Sequence, residues 1–184
     1  GSNQSGHIAS VGFDLYCKLV EDMARDIRGE KLETRIDTEI NLMIKGFIPN
    51  EYIPDLNQRL DFYRRIQIAS DRNECMKLSR EMSDRFGSYP EPVEKLLALL
   101  EIRVLCQSLH ISKAKMENGE VFLTLLHSTP LTVEDLTAIL DGRLKMLSEF
   151  QICILVERKG WQADLKKICE YLQKLSRSLT LKQV

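Results

Sequence analysis

The sequence predicts an α+β fold, with a helix-rich first half packed with a small, mostly antiparallel sheet, and three observations predict it. Apolar residues recur at three- and four-residue spacing through long stretches of the first half. Asn118-Gly119 separates two β-prone runs, the strongest hairpin signal in the chain. Beyond it, strand-like alternation and helix-like spacing mix, which argues for α+β with a small, largely antiparallel sheet. With 184 residues, 43% of them hydrophobic and 29% charged, the chain can build one well-formed core. No internal repeat or low-complexity segment interrupts it. Residues 1–3 read as a cloning remnant and the end of a linker, residues 4–177 as a single domain, and residues 178–184 as a tail.

Each element follows from its residues. Val11, Leu15, Tyr16, Leu19, Val20, Met23 and Ile27 form one face of a helix that Arg28-Gly29 ends. From Thr38 to Ile44, Ile40, Leu42 and Ile44 alternate with Glu39, Asn41 and Met43, the pattern of a half-buried strand. The segment "FIPNEYIPD" then places Pro49 and Pro54 around Tyr52. Each proline fixes φ, removes a donor and pushes the preceding residue out of the helical region, so neither strand nor helix runs through. This elbow connects strand to helix, with Phe47, Tyr52 and Ile53 available to pin it to the core. Asp55 and Gln58 have capping-box spacing and open a helix that buries Leu56, Leu60, Tyr63 and Ile66. Asp71 and Glu74 open the next, with Cys75, Leu78, Met82 and Phe86 as its stripe and Gly87 as its left-handed stop.

After the break at Ser88-Tyr89-Pro90-Glu91-Pro92, a long helix carries Val93, Leu96, Leu97, Leu100, Val104 and Leu105, widened by Leu99 and Ile102. The hairpin follows. Thr132 opens a short helix reaching Asp141-Gly142, a strand runs through Phe150, Ile152, Ile154 and Val156, and a last helix spans about Trp161 to Leu175 with Leu165, Ile168, Cys169 and Leu172 inward.

Chemistry is sparse. Cys17, Cys75, Cys106, Cys153 and Cys169 include no C-x-x-C pair, which fits reduced, mostly buried thiols rather than a disulfide framework or zinc ribbon. Cys106 and His110 share a helix face at i, i+4, but buried packing accounts for that spacing better than a metal or a nucleophile with its base. His7 and His127 add no partner pattern. No phosphate-cradling glycine loop, H-E-x-x-H or G-x-S-x-G motif is present, and no two carboxylates stand out as a catalytic pair. The expectation is no catalytic, cofactor-binding or metal-binding residues.

The net charge of −1 offers no global field for a polyanion. "RLDFYRRI" does interleave Arg59, Arg64 and Arg65 with Phe62 and Tyr63, as some nucleic-acid surfaces do. Tyr63 falls on the apolar stripe and Asp61 dilutes the charge, so a core helix with a basic outer edge is the preferred reading. An accessory nucleic-acid surface is the alternative, and an unrecognised small hydrolase a third. No run approaches the roughly 20 apolar residues that span a bilayer and no signal-peptide pattern opens the chain, which points to a cytoplasmic protein without membrane contact.

Four separated blocks, "NQSGHIASVGFDLY", "FIPNEYIPD", "RLDFYRRI" and "DRFGSYPEPV", occur in order over most of residues 4–110. Together they resemble the carboxyl-terminal domain of the bacterial transcription-repair coupling factors. Beyond residue 110 the likeness rests on the order of hairpin and helices. The resemblance implies a parent with a UvrB-like module, an RNA polymerase-binding domain and a DNA translocase motor that uses ATP and Mg, followed by this domain. None of the motor's ATP motifs lies here, so this chain is expected to be inert as an ATPase, with no cofactor and no direct DNA binding. The resemblance further implies autoinhibition: the domain packs on the UvrB-like module of its own chain and masks the surface that recruits UvrA until a stalled RNA polymerase is engaged.

On the helix expected to follow Asp71, Lys77, Arg80, Glu81 and Asp84 lie opposite Leu78, Met82 and Phe86. The resemblance makes Glu81 and Asp84, an i, i+3 acidic pair, contacts to basic residues of the UvrB-like module, with Lys77 and Arg80 beside them. The same residues also have the i, i+4 spacing of exposed pairs, Lys77 with Glu81 and Arg80 with Asp84, worth about 0.2 to 0.5 kcal/mol each.

Overall fold

The computed structural model describes residues 36–139 and 141–180. The helix expected over residues 11–27, together with His7 and Cys17, lies outside them. In chain order the elements are β1 (Glu39–Asn41), α1 (Leu56–Ile68), α2 (Arg72–Phe86), α3 (Glu91–Ser108), β2 (Ile111–Glu117), β3 (Glu120–Leu125), α4 (Val133–Ala138), β4 (Leu144–Ser148), β5 (Gln151–Leu155) and α5 (Trp161–Thr180). The fold is α+β, as expected. Two compact units divide the described residues: Lys45–Leu100 belongs to one, and residues 36–44 with the described residues from Glu101 onward belong to the other, so α3 begins in the first and ends in the second.

The first unit is organised by the elbow. Gly46 passes so close to α3 that an added Cβ would sit 2.3 Å from the Leu96 nitrogen, and only glycine fits there. The Phe47 amide then donates to the Pro92 carbonyl (3.1 Å), and the Ile48 amide to the Tyr63 hydroxyl (2.7 Å). Tyr52 and Ile53 both donate to the Pro49 carbonyl at 3.2 and 3.1 Å, which closes the turn between the prolines. The apolar pins differ from expectation: Ile53 is fully buried and Ile48 nearly so, whereas Phe47 is 38% exposed. Tyr52 anchors through its hydroxyl, which donates to the carbonyls of Met82 (3.1 Å) and Gly87 (3.0 Å).

Asp55 caps α1 by accepting from the Gln58 amide at 2.8 Å. The buried residues of α1 are Arg59, Phe62, Tyr63 and Ile66; Leu56 is exposed and Leu60 only half-buried, contrary to the expected stripe. Arg59 explains the rotation. Its Nη1 donates to the carbonyls of Ile53 (2.5 Å) and Pro54 (2.9 Å), so this side chain turns toward the elbow and brings Phe62, one turn on, into the core in place of Leu56. In α2, Asp71 accepts from the Glu74 amide at 2.9 Å, Cys75, Leu78 and Met82 are buried, and Gly87 ends the helix at φ +83. Phe86 is half-buried and meets Tyr52 and Phe62 edge-on, each at 5.8 Å between centroids.

The second unit is a five-stranded sheet of order β1-β2-β3-β5-β4, parallel only between β1 and β2. The expected alternation holds across residues 39–44, but the ladder stops at Asn41 because Met43 takes a left-handed φ of +59. Asn118 and Gly119, at φ +53 and +85, make the two-residue turn between β2 and β3. Ala114, Val121, Leu123, Ile152, Ile154 and Leu144 fill one face of the sheet and share the unit's core with Leu165, Ile168, Tyr171, Leu172 and Leu175 of α5.

Four expectations in this unit change. Strand β4 was not predicted, since only its first residue, Leu144, is buried and no alternation marks it. Helix α4 ends at Ala138 rather than at Asp141-Gly142; Asp141 instead accepts from the Arg143 and Leu144 amides (3.0 and 3.2 Å), an Asx turn into β4. Helix α5 runs to Thr180, past Leu175, which is fully buried, and Tyr171 faces inward while Cys169 is half-buried. The Cys106 and His110 pair does not form a helix face, because α3 ends at Ser108 and His110 sits at φ +54 with its Nδ1 3.0 Å from the Ser128 hydroxyl. Cys106 is fully buried, and burial pushes its thiol far up.

Candidate docking face

Helix α2 sets the geometry of the expected site. Its buried stripe of Cys75, Leu78 and Met82 turns Lys77, Arg80 and Asp84 into solvent, where all three are exposed. Among the described residues no ion pair engages them, so neither Lys77 with Glu81 nor Arg80 with Asp84 forms the i, i+4 pair that their spacing allows.

Glu81 is placed differently. Its side chain, 32% exposed, receives a two-pronged contact from Arg65 of α1, Nη2 to Oε2 at 2.5 Å and Nη1 to Oε1 at 3.1 Å. Arg85 adds a third contact to Oε1 at 2.8 Å and donates from its other terminal nitrogen to Gln58 Oε1 at 3.0 Å. Asp61 lies 3.6 Å from Arg65. Both guanidinium groups rest on aromatic faces, Arg65 at 5.2 Å from the Phe62 centroid and Arg85 at 5.5 Å from Phe62 and 5.0 Å from Phe86. The hydrogen bond from Arg65 draws the Glu81 carboxyl from 4.5 down to about 2; burial opposes and Arg85 assists.

The expected acidic pair is therefore divided. Glu81 belongs to a ladder that ties α1 to α2, while Asp84, with Lys77 and Arg80, is left facing outward. The ladder's Arg85 was legible as the residue four beyond Glu81, but Arg65 approaches across a turn between helices, and no local spacing signals that.

The arginines of the nucleic-acid alternative are dispersed. Arg59 is buried on the elbow, Arg65 is bound to Glu81, and only Arg64 is exposed. On the face of the sheet that carries Phe122, the strand registers place Lys113, Lys115 and Lys145 with Glu39, Glu117 and Glu120, and Lys113 and Lys115 are paired to Glu39 and Glu117. Such a face carries no basic excess to gather phosphates. Among the described residues no three His, Cys, Asp or Glu side chains converge as metal ligands, and no helix is long and apolar enough to cross a membrane.

Comparison with known proteins gives a consistent result. The family model of the TRCF domain matches residues 42–136, more than half of the chain. The transcription-repair-coupling factor of Bacillus subtilis is 33% identical over 144 residues, covering 78% of this chain and 12% of that protein. Its Escherichia coli counterpart is 39% identical over 118 residues, covering 61% of this chain and 10% of that protein. The chain thus spans about a tenth of the length of these relatives. In fold it is similar to a solved structure described as the C-terminal domain of transcription-repair coupling factor, with a TM-score of 0.69 at 20% identity over 80% of this chain and 96% of that one. From the matched span and these relatives, the chain belongs to the TRCF-domain family of the transcription-repair coupling factors.

Proposed function

We propose that this chain is the non-catalytic terminal domain of a longer transcription-repair coupling factor and acts as an autoinhibitory clamp on that protein's UvrB-like module. In the resting state it covers the surface that recruits UvrA, and engagement of a stalled RNA polymerase removes it. The ATP and Mg chemistry belongs to the parent's motor, and this domain contributes a binding face in the cytoplasm. The observation that carries the reading is the outward face of α2, where Lys77, Arg80 and Asp84 stand exposed and, among the described residues, without ion pairs, on a helix tied to α1 by the Arg65–Glu81–Arg85 ladder.

Exposed charges that make no ion pair among the described residues suit a polar interdomain contact, which commonly covers about 600 to 1,500 Å². Asp84 is the acidic contact to a basic residue of the module, Lys77 and Arg80 answer acidic ones, and Glu81 positions α2 rather than touching the partner. The test is a titration of this chain against the separately produced UvrB-like module. Saturable binding that Asp84→Arg weakens by roughly 30-fold, equivalent to about 2 kcal/mol, is the expected outcome. No binding by the wild-type chain removes the clamp; binding of DNA instead, weakening steeply as salt is raised, favours the nucleic-acid reading.

A further inference from the structure

The outward side of α2 carries one residue unlike its neighbours. Met76 is 45% exposed, the only large apolar side chain of this helix left open to solvent. Asn73 and Arg80, its neighbours at i−3 and i+4, are exposed and polar, and so is Lys77 beside it. Met76, Arg80 and Asp84 also share one row at i, i+4 and i+8. An apolar group, a cation and an anion therefore stand on successive turns, about 6 Å apart along the helix.

A lone apolar side chain on a surface is ordinary. The place of Met76 in this row gives it a role. Exposed charges add little net affinity when they pair, because each gives up its hydration, and they act mainly on specificity and on the rate of encounter. Tight contact needs apolar area withdrawn from water, usually at a patch ringed by polar groups. Methionine is enriched at such patches, and its unbranched thioether adapts to the pocket it meets. Lys77, Arg80 and Asp84 supply the polar ring on α2, and Met76 is the apolar group within its reach.

We propose that Met76 is the apolar anchor of the α2 docking face and enters an apolar pocket on the UvrB-like module. Beside that pocket the module presents a carboxylate to receive Arg80 and, one helical turn further along, a basic group to receive Asp84. This role rests on the clamp reading and adds to it the order of groups that the partner surface must offer. A surface with the same charges in reverse order would set like charges together and be rejected.

Titration of this chain against the UvrB-like module, with Met76→Gln, Met76→Leu and Asp84→Arg in parallel, tests the anchor. Gln keeps the length and helix propensity of Met without its apolar character. It should weaken binding about 10-fold. Leu keeps the apolar volume and should stay within about threefold of wild type. The Met76→Gln loss should be equal at low and high salt, whereas the Asp84→Arg loss should shrink as salt rises. Circular dichroism should show all three variants folded, because both positions face solvent. Failure of the wild-type chain to bind overturns the clamp and the anchor with it. Binding that Asp84→Arg weakens but Met76→Gln leaves unchanged, a Met76→Gln loss that fades with salt, or a Met76→Leu variant as weak as Met76→Gln overturns the anchor alone.

Discussion

Glu81 stands between two guanidinium groups, and its environment acts on it as much as it acts on them. Because the Arg65 hydrogen bond holds its folded carboxyl at about 2 against an ordinary 4.5, the interaction stabilises the fold fully above about pH 4.5 and is lost as pH falls toward 2. Both partners are about a third exposed, so water screens the pair and about 1 kcal/mol is the expected contribution rather than the full shift. Glu81→Gln should therefore lower the melting temperature at neutral pH, and the gap from wild type should close between about pH 4.5 and pH 2. Thermal unfolding of both proteins across that range measures it. A gap that persists at pH 2 would mean that the substitution acts through packing.

At the scale of elements, the connector at residues 46–55 is held by the helix it leads into. Tyr63, on α1, accepts from the buried Ile48 amide, and Arg59, one turn earlier, takes the Ile53 and Pro54 carbonyls. Tyr63→Phe removes the acceptor and leaves a buried N–H unmatched, a loss of roughly 1 to 3 kcal/mol. Chemical denaturation should show that loss as a lower midpoint with an unchanged slope, while an unaltered midpoint would mean that another acceptor replaces the hydroxyl. This contact also marks what could be read from the sequence. Elements set by local signals were legible: the caps at Asp55 and Asp71, the Gly87 stop and the Asn118-Gly119 turn all stand where their residues imply. Features set by distant contacts were not. Arg59 rotates α1 by reaching the elbow, and β4 exists because β5 pairs with it. The candidate site divides the same way, since exposure of Lys77, Arg80 and Asp84 follows from helical spacing whereas the capture of Glu81 by Arg65 depends on tertiary packing.

For the whole molecule, the division between Glu81 and Asp84 separates fold from docking in a way that the full-length protein can report. Asp84 makes no ion pair among the described residues, so Asp84→Arg should leave the stability of this chain within about 0.5 kcal/mol of wild type, with its melting temperature nearly unchanged. Glu81→Arg places a third cation beside Arg65 and Arg85 and should destabilise the chain measurably. If α2 covers the UvrA-recruiting surface, Asp84→Arg in the full-length protein breaks a desolvated charge contact, at a cost of roughly 2 to 5 kcal/mol, and opens the clamp without unfolding it. UvrA should then bind the variant more tightly than the wild type. The gain is limited to the free energy that held the clamp shut, because a domain that no longer competes cannot improve the surface beneath it. Titration of UvrA against both full-length proteins at matched salt gives the answer. Tighter binding with an unchanged melting temperature assigns Asp84 to the docking contact, and equal affinities would place the contact off α2.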